Sequence, residues 1–211
     1  MNEWLDKYGL VKTHKSDDSS GNGILYSVIY NIFYDSFNRH IPLLCLWRSK
    51  LGVLWRTPDN TYGNCSHDDY LAFGVRMLID GNKIWPRMIL WSCIKKLGFM
   101  RNDYKEKNGL WKSQMLRFPH VWIVMFAAAF PNVILNFLTR NILKILLTVS
   151  STSATDASGM QLRFLNLYAI HLMGNSKPLR EFIKKYNMAE IMKYYYDVDH
   201  PILLGYKNFR V

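Results

Sequence analysis

Apolar residues recur along this chain mostly at the three-to-four spacing of an α-helix. Polar, glycine-bearing stretches at 12–23, 56–66, 101–112 and 150–159 break that pattern. The spacing predicts a short amphipathic helix over 2–8 and a longer one over 24–37. In the second, Ile24, Leu25, Val28, Ile29 and Ile32 form one stripe, and Tyr26, Tyr30 and Tyr34 form another. The tyrosine stripe reads as semi-buried packing. Pro42 can open a helix to about Lys50. Further helices are expected at 67–80, stopping at Gly81-Asn82, and at 86–98, 114–130, 132–149, 160–173 and 176–186, the last begun by Ser176 and Pro178, with Asn187 and Glu190 resembling a capping box for a final one. The helices at 114–130 and 132–149 are so apolar that both are expected to be buried, and Ala127-Ala128-Ala129 would let a neighbour come close. The tail Asp199–Tyr206 reads as coil packed on the body, and no strand hairpin is expected.

This pattern specifies an all-α chain: a single domain spanning 1–211, built of packed helical hairpins as an irregular bundle or partial α/α toroid. The 150–159 stretch is its weakest point. At 211 residues the chain is long enough to bury a core without staples. Three cysteines, none in Cys-x-x-Cys spacing, argue against a disulfide framework. No apolar leader opens the chain, which points to a host-cell cytoplasmic or virion location if the origin is viral.

Charge adds a second theme. The chain carries 27 basic and 16 acidic residues, for a net charge of +11. Between Gly81 and His120, nine cations face only Asp103 and Glu106. Lys95, Lys96, Arg101, Lys105, Lys107 and Lys112 in this stretch are candidate contacts for a polyanion. The uncharged run Phe118–Thr139 is long enough to span a bilayer, but Pro131-Asn132 divides it, so a membrane span is disfavoured.

The most chemically suggestive cluster is Ser66-His67-Asp68-Asp69-Tyr70. Ser66 and Asp69 match a capping box, and acidic side chains favour a helix N-terminus. Capping does not explain His67, because a cation is unfavourable there and a neutral imidazole suits a general base. Asp68 or Asp69 would then be the acid or orienter, and Tyr70 completes the candidate catalytic set. Asp18 and Asn22 in the first loop, with Arg56 and Asp59 in the second, are candidate substrate contacts if both loops emerge on one face. No metal-ligand spacing and no cofactor motif is seen. His171 reads as a hydrogen-bonded core histidine, and His200 as part of a structural Asp-His-Pro turn.

Four pieces in order, Ser20-Gly21-Asn22-Gly23-Ile24-Leu25-Tyr26, Arg56-Thr57-Pro58-Asp59, His67-Asp68-Asp69-Tyr70 and Asp199-His200-Pro201, resemble a pattern in uncharacterised tailed-bacteriophage proteins. That resemblance implies phage origin without an activity. Polar acidic loops set before helices are also similar to α/α-toroid glycan-processing enzymes. The leading expectation is therefore a phage-encoded protein that binds or cleaves a glycan at helix N-termini. A second is a non-enzymatic virion or ejection component, or an inhibitor of a host factor, that binds a polyanion such as DNA. A third is a membrane-active lysis protein resting on residues 118–139.

Overall fold

A computed structural model describes residues 2–15, 23–34, 54, 66–95, 99–100, 113–114, 118–149 and 156–211. These residues form one all-α domain around one hydrophobic core. Its helices are α1 (Gly23–Tyr34), α2 (His67–Asp80), α3 (Ile84–Lys95), α4 (Pro119–Ala129), α5 (Val133–Val149), α6 (Ala157–Leu172), α7 (Lys177–Lys185), α8 (Met188–Met192) and α9 (Pro201–Asn208).

The core is organised around α2, which packs on α1, α4 and α6. Its middle, Tyr70 to Met77, is buried on every side. A helix can be buried all round only if its neighbours approach closely. Gly74 provides that approach, since a Cβ there would sit 3.1 Å from a Val124 methyl on α4. The helix ends at Gly81, whose left-handed φ of 63° turns the chain and lets its N–H meet the last carbonyls. Arg76 on α2 is buried yet charged, and it is neutralised one turn on by Asp80 at 2.8 Å.

Three elements depart from the sequence pattern in their secondary structure. Residues 2–8 form only a 3-10 turn, Asn2–Trp4, followed by a bridge between Leu5 and Val11. Asp6 side-chain oxygen accepts the N–H groups of Tyr8 and Leu10, and that local bonding replaces a helix. A two-residue antiparallel pair, Phe99–Met100 with Ser113–Gln114, lies where no hairpin was expected. The tail is not coil: Pro201 opens α9, which docks on α1. Gly205 permits that docking, because a Cβ there would fall 2.2 Å from the Phe33 ring.

The largest departure is α5. Only Thr139 and Leu143 on it are buried. Val133, Ile134, Phe137, Leu138, Ile142, Ile145 and Val149 stand exposed. The expectation that both 114–130 and 132–149 lie in the core holds for α4 and fails for α5. The expected helix over 42–50 lies outside the described residues.

Candidate functional site

The Ser66–Tyr70 cluster opens α2 as its pattern required. Ser66 is the N-cap, and its hydroxyl oxygen accepts the Asp69 N–H at 3.1 Å. Asp69 is only 1% exposed. One of its carboxylate oxygens accepts the Ser66 hydroxyl at 2.9 Å, and the other accepts the Leu25 N–H in the first turn of α1 at 3.2 Å. One carboxylate thus joins the N-termini of two helices, where orphan N–H groups and both dipoles favour an anion. Tyr70 is equally buried, and its hydroxyl accepts the Leu54 N–H at 2.8 Å. His67 is half-buried with its ring stacked on Phe118, centroids 3.8 Å apart. Asp68 is also half-buried.

The geometry therefore divides the candidate catalytic set. Asp69 and Tyr70 hold backbone N–H groups inside the core, whereas His67 and Asp68 lie nearer solvent. Asp18, Asn22, Arg56 and Asp59 lie outside the described residues, as do Lys96, Arg101, Lys105, Lys107 and Lys112. Lys95 is exposed at the end of α3, with its ammonium over the Trp91 ring.

The other two histidines with a sequence reading are structural. His200 is fully buried at the N-cap of α9. Its Nδ1 accepts the Ile202 N–H at 3.1 Å, so Nε2 carries the proton and donates to the Lys12 carbonyl at 2.7 Å. The ring stacks on Tyr196 and meets Trp4 edge-on. Burial pushes the imidazole down to a pKa of about 4. Around it, His14 pairs with Asp197 at 3.2 Å and Lys15 with Asp199 at 2.9 Å, strapping the first residues to the last. His171 is half-buried and bonded to the Ser176 hydroxyl at 2.7 Å, its pKa lowered by burial and by Arg180.

A different region has the form of a binding site. Near the chain's C-terminal half, α5, α6 and α7 enclose a cleft of about 360 Å³. Lys144, Arg163 and Lys185 line it, opposed only by Glu181, and Leu167, Phe182 and Tyr186 form apolar wall. Arg163 reaches over the Phe182 ring, and its Nε is buried with no hydrogen-bond partner among the described residues. A buried donor in that state costs about 1–3 kcal/mol until something accepts from it. Tyr186 is shared with a second cleft of about 220 Å³, lined by Lys184, Lys207 and Arg210 with no carboxylate. Tyr206 and Phe209 add rings to that second wall.

Two adjoining clefts thus present six cations and one carboxylate around a central aromatic ring. Helix α7 places Lys184 and Lys185 on either side of that boundary. Ser176 is its N-cap and Pro178 lies in its first turn, as its sequence predicts. Sequence reasoning passed over this site because its cations are scattered from 144 to 210. The one local signal was the Lys184-Lys185-Tyr186 run. Among the described residues, no group of three His, Cys, Asp or Glu side chains is placed to hold a metal ion. Comparison with protein-family models, curated proteins and solved structures finds no match.

Proposed function

We propose that this protein binds a polyanionic strand across the two clefts that meet at Tyr186. The observation that carries this reading is the concentration of six cations against one carboxylate on aromatic walls. Separated cations read the repeated charges of a strand, while rings between them offer faces for flat groups. Single-stranded nucleic acid combines both features. In a tailed phage, which the four-piece resemblance implies, viral or host nucleic acid would be the available ligand. The glycan-cleaving reading at His67–Tyr70 has less support, because Asp69 and Tyr70 are spent on backbone N–H groups of the core.

The test is fluorescence anisotropy with a labelled single-stranded DNA 20-mer over a range of salt. Affinity is expected to fall steeply as salt rises. Arg163→Gln combined with Lys185→Glu is expected to weaken binding at least tenfold and to flatten the salt dependence. Undiminished binding by that variant would overturn the site and point to the Lys96–Lys112 stretch. Tight binding of a sulfated glycan with no DNA binding would instead change the ligand class.

A further inference from the structure

The exposed apolar side chains of α3, α4 and α5 are not scattered. On α5, Ile134, Leu138, Ile142, Ile145 and Val149 fall within roughly 80° of one another at the spacing of an ideal helix. That stripe is distinct from Thr139 and Leu143, the two buried positions of the helix; the Thr139 hydroxyl touches the sulfur of Met173, just past the end of α6, at 3.3 Å. On α3, Ile84, Met88 and Trp91 form a second stripe at spacings of four and three, with Trp91 58% exposed. The two regions are linked through α4. Arg87 of α3 donates to the Ala129 carbonyl at the end of α4 and lies over the Phe130 ring. Phe126 and Phe130 are themselves exposed, and α5 starts three residues on at Val133. A helix face that leaves this many large aliphatic side chains exposed marks an interaction site.

Charge selects the occupant. Between Asp80 and Asp156 the chain has eleven cations and only two carboxylates, Asp103 and Glu106. Helices α3, α4 and α5 contain no carboxylate at all, and Lys83, Arg87, Lys95 and Arg140 flank the apolar stripes. A second copy is disfavoured, since a two-fold contact would press like charges together. No helix among the described residues is long and apolar enough to cross a membrane. An apolar face with a tryptophan and a cationic border is the pattern of a helix that lies in the lipid interface.

We infer that the α3–α5 face docks the protein on an anionic lipid surface, with α5 lying in the plane of the membrane. The exposed isoleucines and leucine enter the acyl boundary, and the flanking cations meet phosphate headgroups. This is separate from the Tyr186 clefts, which open between α5, α6, α7 and α9.

The test is flotation of the full chain with vesicles of phosphatidylcholine alone or mixed with phosphatidylglycerol. Binding to the anionic vesicles should exceed binding to neutral ones at least tenfold. The variant Ile134→Ser/Leu138→Ser/Ile145→Ser should lose at least tenfold while keeping its circular dichroism and melting temperature. The cleft variant Arg163→Gln/Lys185→Glu should still float. Three results would overturn the inference: no anionic-vesicle binding, full binding by the serine variant, or loss only in the cleft variant. Sedimentation showing a dimer that the serine variant breaks, without vesicle binding, would assign the face to a second copy instead.

Discussion

Helices α4 and α5 adjoin in the chain and are both rich in aliphatic and aromatic residues, yet one fills the core and the other coats the surface. Helix α4 has no charged side chain and is apolar all round, so it needs neighbours on several sides. It has them: α2 and α3 flank it, Gly74 lets α2 approach, and Ala127, Ala128 and Ala129 are small enough to be enclosed. Beyond Pro131, α5 leaves that layer and rests on α4 and α6. One side packs through Thr139 and Leu143. A second carries Arg140, which donates to the Met173 and Gly174 carbonyls, and Lys144. A third presents bare aliphatic surface. Hydrophobicity gives a residue a reason to leave water, but only the number of available neighbours decides whether it can.

The sharpest way to break this comparison is to place the same charge on both helices. Met125→Lys on α4 would bury an unpaired ammonium, and the protein is expected to lose at least about 4 kcal/mol or fail to fold. Ile145→Lys on α5 should stay within about 0.5 kcal/mol of the parent in urea unfolding, because that side chain is 64% exposed. Comparable losses at the two sites would mean that α5 is covered in solution.

Acid offers a second contrast. Burial lowers the pKa of His120 in the first turn of α4 and that of His200 against the first residues, while α5 has no histidine. A lowered folded pKa means that the folded state binds fewer protons than the unfolded chain. Stability is then fully present above about pH 6.5 and declines as pH falls toward about 4. The His200 contribution amounts to about 3 kcal/mol over that window. Melting temperature followed from pH 7 to pH 4 should drop, and His200→Gln should flatten the curve. A parent curve that is flat over this range would show that His200 is solvated.

The smallest expected change among the core variants concerns Asp69. Asp69→Ala removes the carboxylate oxygens that accept the Leu25 N–H and the Ser66 hydroxyl, at a cost of about 2 kcal/mol. Asp69→Asn should recover part of this, since an amide oxygen still accepts. Denaturant midpoints of the two variants provide the measurement. Equal loss in both would mean that the charge at the two helix N-termini matters more than the hydrogen bonds.

Much of the local structure was legible because its determinants are local. Ser66 and Asp69 placed the start of α2, Gly81 its end, Pro178 the first turn of α7, and Asn187 the cap of α8. The tyrosine stripe of α1 packs as its spacing suggested, with Tyr26 and Tyr30 buried and Tyr34 at the surface. Of the candidate site, Asp69 and Tyr70 hold backbone N–H groups in the core, whereas His67, Asp68 and Lys95 lie nearer solvent. The cationic clefts were hidden because Lys144, Arg163, Lys185 and Arg210 come from separate elements.

The sequence by itself determined that the chain is helical, where most helices begin and end, and that its middle third holds most of the surplus positive charge. Those properties depend on caps, spacing and composition, which act within a few residues. Only the tertiary structure decided which apolar helix is core and which is surface, that Asp69 is shared between two helices, and that scattered cations converge on Tyr186. Each of these depends on which elements become neighbours, and that is set by packing the whole chain around α2.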